Sequence, residues 1–234
     1  MQLARAQVIS AYQERFARSE IRESPRFYSW VWQHLPLSDE ARVLDIACGA
    51  GGALAAAEHR FRHTYGIDFT PLALEHAAQR APRSLLACAD GEALPYASQS
   101  FDAATLIGSL EHFAGPLSGL LEARRVVRQH GMLAVFVPNS YYVVDVIWKV
   151  WRTGQPPSHN QPIERFATVQ EWKQLIEQSG LTVTTVHAYN FLWPHTLDDW
   201  RWYLAFPRKL LNLAVAPLIP FNLSYSFLYL CRNN

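Results

Sequence analysis

The chain is predicted to be a doubly wound α/β fold, a mostly parallel seven-stranded sheet with an antiparallel last strand and helices on both faces. Three observations predict it. Val43-Leu44-Asp45-Ile46 is a short apolar run that enters a turn carrying Gly49, Gly51 and Gly52, with the alanine-rich segment Ala53 to His59 directly behind it. A second apolar run, Tyr65-Gly66-Ile67-Asp68, ends in an acid. Further apolar runs then alternate with helix-like stretches, the pattern of βαβ units joined into a parallel sheet.

The first two features together have the pattern of a nucleotide-cofactor site. Glycines let the backbone approach a ligand closely, and a carboxylate ending the next strand can accept from both ribose hydroxyls. The spacing narrows the ligand. A dinucleotide fingerprint calls for a third glycine where this chain has Leu54, which opposes a nicotinamide dehydrogenase. A phosphate loop ends in Gly-Lys-Ser/Thr, and no lysine is near. The loop suits a nucleoside ligand without a pyrophosphate, such as S-adenosylmethionine.

Later segments extend the sheet. Leu85 to Pro95 reads as a third strand ending in an acid, Asp90, before Gly91, and Ser100 to Phe113 as a fourth strand running into a polar turn that holds Ser109, Glu111 and His112. Gly131 to Asn139 is a fifth, entered from a helix over Leu117 to His130. Thr168 and Glu171 form a capping-box pair that starts a helix over Val169 to Gln178, and Gly180 ends it. Leu181 to Ala188 is the sixth strand and Tyr225 to Cys231 the seventh, a hairpin with the antiparallel strand at the edge.

In this order of motifs the chain resembles the class I, Rossmann-like S-adenosylmethionine-dependent methyltransferases over about residues 40 to 190. The resemblance implies S-adenosyl-L-methionine as cofactor and a set of residues for it. Ala47, Gly49 and Gly51 would line the methionyl part, and Asp45 would hold its ammonium. Asp68 would accept from the two ribose hydroxyls, a charge-assisted bidentate contact. Phe69 would lie against the adenine, Asp90 would accept its amino group, and the backbone at Gly91 would meet a ring nitrogen. Ser109 would offer a backbone carbonyl. The expected activity is methyl transfer to a small, apolar or aromatic acceptor, with His112 as a base or Glu111 as its orienter. The competing assignment has Glu111 starting a helix and His112 packing on the cofactor. Asp68 as a helix N-cap and Asp90 as a turn former are the alternatives there.

Composition fits a cytoplasmic enzyme of one domain over residues 1–234: a helical cap over 1–38, a cofactor core over 40–140 and a C-terminal half over 141–234. A formal net charge of +1 gives no electrostatic case for nucleic acid. Cys48, Cys88 and Cys231 are too few and scattered for a disulfide framework or a zinc site, and Cys48 suits a small apolar filler. No metal is expected: related enzymes with Glu-x-x-Glu-His have an acid where this chain has Gly108, leaving Glu111, His112 and His159. Met1 to Glu20 mixes charges with no apolar core, an amphipathic helix and not a signal peptide, followed by a helix over Arg26 to His34. Tyr12 or Tyr28 is placed to reach the site.

Tyr141 to Arg152 forms an apolar helix-like segment broken by Thr153-Gly154. Residues 190–222 form an aromatic insertion with Trp193, Trp200, Trp202, Tyr203 and Phe206, interrupted by prolines and short of the ~20 residues of a bilayer span. It suits a lid or core packing, a homodimer contact, or peripheral membrane contact. A different class of function stays open, a non-catalytic methyltransferase-like binding or assembly module. Retained Asp45, Gly49, Gly51, Asp68 and Asp90 favour the enzyme.

Overall fold

The computed structural model describes residues 10–14, 23–158 and 161–234. The strands are β1 (Arg42–Ile46), β2 (His63–Asp68), β3 (Leu85–Cys88), β4 (Phe101–Ile107), β5 (Val127–Pro138), β6 (Leu181–Tyr189) and β7 (Ser226–Asn233). They lie in the order β3-β2-β1-β4-β5-β7-β6. β1 to β5 pair in parallel, and β7 runs antiparallel to both of its neighbours. The doubly wound sheet is the expected one.

The antiparallel strand, however, is internal, and β6 takes the edge. The two sequences explain the exchange. β7 is buried at every position except Arg232, as a strand covered on both faces must be, whereas β6 leaves Thr182, Thr184 and Thr185 exposed. A second correction concerns the helix before β5. It spans Pro116–Val126, not to His130, and Val127 already pairs with Phe101. The register shifts between Phe101 and Ala103, because the polar run Arg128 to His130 bulges outward with His130 at φ 63°.

Helices α1 (Pro25–Gln33), α2 (Gly52–Glu58), α3 (Pro71–Arg80), α4 (Pro116–Val126) and α5 (Val169–Gln178) cover the sheet. One core packs Leu120, Ala123, Trp172 and Ile176 of α4 and α5 against Leu44, Leu106 and Val135. The expected capping box opens α5, and Trp172 donates through Nε1 to the Pro138 carbonyl at 2.8 Å. The opposite core packs Phe27 and Val31 of α1 against Val43, Ala103 and Phe136. Trp32 Nε1 donates to the Ala53 carbonyl at 2.8 Å, tying α1 to the start of α2 beside the glycine turn.

The insertion joins that second core. Its helices α6 (Leu197–Ala205) and α7 (Pro207–Val215) bury Trp202, Tyr203 and Leu213 against α1, while Trp193, Trp200, Leu204 and Leu218 stay exposed. Residues 143–153 are helical with a π turn at Val146–Val150, and Gly154 ends the run at φ +66°. Of the N-terminal helix expected over Met1 to Glu20, residues 10–14 are described and are helical; the rest lies outside the described residues, as does His159. Among the described residues no helix is long and apolar enough to cross a membrane.

Candidate functional site

A cavity of about 210 Å³ opens at the carboxyl ends of β1, β2, β4 and β5, the place where open α/β sheets bind ligands. Asp45, Ala47, Gly49, Asp68, Phe69, Ser109, Glu111 and His112 line it. Tyr12 and Tyr28 line it as well, from the helical segments that precede the sheet.

The strand ends set the polar groups. Asp45 is 2% exposed, and Thr105 on the adjacent β4 donates its hydroxyl to Oδ1 at 2.6 Å. Burial pushes the Asp45 carboxyl up to about 7 against that bond. Asp68, 4% exposed, accepts the Gly49 amide on Oδ2 at 3.0 Å and the Thr70 amide on Oδ1 at 2.8 Å. Burial raises it too, opposed by those amides. Its carboxylate thus bridges the glycine turn and the end of β2. Phe69 meets the Tyr12 ring edge to face at 5.5 Å. Ser109 donates through Oγ to the Ile46 carbonyl at 3.5 Å.

Glu111 and His112 form a short 3₁₀ turn, Leu110–His112. His112 Nδ1 lies 2.5 Å from the Ile163 carbonyl, an acceptor only, so in the neutral ring Nδ1 carries the proton and Nε2 keeps a lone pair. That Nε2 is 3.7 Å from Glu111 Oε1. Glu111 Oε2 is buried with no hydrogen-bond partner, and burial pushes the carboxyl up to about 8.

Three expected residues stand outside the cavity lining. A Cβ on Gly51 would come 2.8 Å from the Ala77 Cα, so that glycine, at φ +77°, serves the packing of α2 on α3. Asp90 accepts the Glu92 amide at 2.9 Å, a turn-forming contact. A Cβ on Gly91 would meet the Phe113 ring at 2.5 Å. Cys48 is buried and its thiol is held protonated by burial, in keeping with an apolar filler. Among the described residues no cluster of three or more metal-binding side chains forms.

Sequence reasoning missed Glu23, Phe27, Phe136, Gln161, Tyr225 and Ser226, all of which line the cavity. Phe136 near the end of β5 and Ser226 at the start of β7 obey the same strand-end rule that found Asp45. The other four come from α1, its approach and loops, where no local pattern announces a site. The insertion, expected as a lid or core packing, a dimer contact or a membrane contact, contributes no lining residue among those described and packs into the core. Its Trp202 and Phe206 instead line a separate cavity of about 700 Å³ on the far side of Glu23, Tyr28 and Gly52. The reason lies in the packing: Trp202 and Tyr203 turn inward against α1, so the insertion backs the wall and does not face the cavity.

Residues 44–135, from β1 into β5, match the family model described as a methyltransferase domain. The uncharacterized methyltransferase YcgJ of Bacillus subtilis (strain 168) is 25% identical over 169 residues, 69% of this chain and 64% of that protein. Demethylmenaquinone methyltransferase of Corynebacterium kroppenstedtii is 36% identical over 94 residues, 40% of each chain. Geranyl diphosphate C-methyltransferase from Streptomyces coelicolor A3(2), solved with Mg2+, geranyl diphosphate and S-adenosyl-L-homocysteine, has a TM-score of 0.64 at 13% identity, covering 89% of this chain and 79% of that one. The chain spans less than two thirds of the length of these curated relatives. Fold and match together define the class, a Rossmann-like α/β domain of the class I type. Within it, residues 44–135 are similar to methyltransferase domains.

Proposed function

We propose that this chain transfers a methyl group from S-adenosylmethionine to a small acceptor held in the same cavity, with residues 1–234 acting as one unit. One observation carries the reading. The cavity is lined by the carboxyl groups of Glu23, Asp45, Asp68 and Glu111, and among the described lining residues there is neither Lys nor Arg. Glu23 is paired with Lys209 from outside the lining, but Asp45, Asp68 and Glu111 have no Lys or Arg partner among the described residues. Such buried acids suit a ligand that brings its own positive charges, as a sulfonium with an ammonium does.

Asp45, Ala47 and Gly49 would hold the methionyl end, Asp68 the ribose, Phe69 the adenine and the Ser109 backbone the rim. Asp68 already accepts two amides, and its remaining lone pairs can accept hydroxyls. Asp90 and Gly91 would frame the adenine from outside the present lining. When bound, S-adenosylmethionine supplies a methyl group already activated for transfer. The chain's part is to position the acceptor, exclude water and take a proton where the acceptor carries one. His112 Nε2 would take it.

Calorimetric titration tests the cofactor directly. Micromolar binding of S-adenosylmethionine and S-adenosylhomocysteine is expected, with no heat from nicotinamide dinucleotides. Silence with the first two ligands overturns the reading.

A further inference from the structure

The cofactor assignments leave one end of the cavity unclaimed, and its chemistry is distinctive. Phe27 and Tyr28 of α1, Phe136 of β5 and Tyr225 before β7 line it, with Phe27 and Phe136 ring centroids 4.7 Å apart and Phe27 and Tyr28 5.3 Å apart. Asn139 and Asn190 fix Tyr225 in place. Asn139 Nδ2 donates to the Asn222 and Ser224 carbonyls at 2.9 and 2.8 Å, and Asn190 Oδ1 accepts the Tyr225 amide at 2.8 Å.

Two acids face these rings. Glu23 already has a cation, because Lys209 Nζ lies 3.2 Å from its Oε1 and is itself stacked over the Trp202 ring at 4.4 Å, although its Oε2, like that of Glu111, has no partner among the described residues. Glu111 is not matched. It is 5% exposed, and among the described residues its Oε2 has no partner and the basic nitrogen paired with it is His112 Nε2 at 3.7 Å. A buried carboxyl left this way stays protonated well above its ordinary range, a cost that an arriving cation relieves. An anionic acceptor would meet the Glu111 carboxyl here with neither Lys nor Arg among the described lining residues, and aromatic faces also favour a cation over an anion.

Building on the methyl-transfer reading above, we propose that the acceptor is a small amine with an apolar, ring-bearing body. Its nitrogen sits at Glu111 within the rings of Phe27, Tyr28, Phe136 and Tyr225. The bound ammonium gives one proton to His112 Nε2. The freed nitrogen lone pair forms the N–C bond while the C–S bond breaks with its electron pair returned to sulfur. The product is again an ammonium, and the same carboxylate and rings suit it.

Three probes of one size separate the alternatives: 2-phenylethylamine, 2-phenylethanol and 3-phenylpropionate. Each is titrated calorimetrically into the free chain and into the chain loaded with S-adenosylhomocysteine. The amine is expected to bind about tenfold more tightly than the alcohol, and the acid more weakly still. Glu111→Gln, which keeps the shape, should bring amine and alcohol within about threefold, and Tyr225→Leu should weaken the amine more than the alcohol. Equal binding of amine and acid, no amine binding in either form, or an unchanged amine-to-alcohol ratio in Glu111→Gln overturns the proposal. Amine selectivity in the free chain with no uptake of S-adenosylhomocysteine would sustain the amine subsite and sink the methyl-transfer reading instead.

Discussion

The two ends of the cavity are built by different means. At the proposed cofactor end, Asp45, Gly49, Asp68 and Ser109 each lie within a few residues of the carboxyl end of β1, β2 or β4, and each has a polar partner from a strand or the glycine turn. At the acceptor end the wall is made of rings from α1, β5 and the approach to β7, and its buried acid has one oxygen unpartnered. The difference teaches how one scaffold serves many reactions. Strand-end backbone and acids are fixed by the sheet and meet what is common to the family. Surfaces assembled from distant segments vary, and meet what differs.

Glu111 offers the largest effect by which to break that contrast. The unfolded chain ionises this carboxyl near its ordinary value of 4.5, whereas the folded chain holds the proton to about 8. Between those values the folded state binds more protons than the unfolded one, so stability falls as pH rises and levels off above about 8. Each pH unit within the window costs up to about 1.4 kcal/mol from this group. Glu111→Gln should flatten urea-derived stability against pH and be the more stable chain at pH 8. Parallel curves for parent and variant would show that Glu111 is already satisfied, like Asp45 with its threonine.

Asp68→Ala tests the cofactor end. Losing its contacts to the ligand should weaken S-adenosylmethionine binding ~100-fold, while binding of 2-phenylethylamine to the free chain changes less than about twofold. Asn139→Ala tests the opposite end. It leaves the carbonyls of Asn222 and Ser224 without their donor, which should cost about 2–3 kcal/mol in urea unfolding. Cofactor affinity should stay within about twofold, and the amine should bind more weakly as Tyr225 loosens. An effect on cofactor affinity larger than that on the amine would join the two ends into one.

The same contrast decides what the sequence disclosed. Asp45 and Asp68 were legible because a single local pattern, an apolar run ending in an acid beside glycines, is both the cause of the strand and the source of the site. Asp90-Gly91 has that pattern too but stands outside the cavity lining: Asp90 also accepts the Glu92 amide, and Gly91 leaves room for the Phe113 ring. Nothing in a run of residues distinguishes an acid that faces a ligand from one that closes a turn. Phe27, Phe136 and Tyr225 were legible only as core residues, since convergence from opposite ends of the chain leaves no mark on any one segment. The order of the last strands was hidden for a similar reason: a hairpin of β6 and β7 is compatible with either at the edge. Only the contrast between apolar β7 and threonine-rich β6 decides it.

Gly52 gives the smallest effect on stability and the finest test of where the two ends meet. It lines the cofactor cavity, yet the space its Cβ would fill is held by the far end of the Tyr28 ring, with Cε2 at 2.6 Å and Cζ at 2.7 Å. The Tyr28 hydroxyl accepts the Glu23 amide at 3.2 Å. A methyl group at position 52 therefore displaces a side chain and no backbone, so Gly52→Ala should cost under about 1 kcal/mol. Displacing the ring opens one side of the aromatic box, and the acceptor should register that before the cofactor does. A several-fold loss of amine affinity with S-adenosylmethionine binding unchanged would place the boundary between the two ends at this contact. If cofactor binding falls and amine binding holds, Tyr28 belongs to the cofactor, and the acceptor wall begins at Phe27.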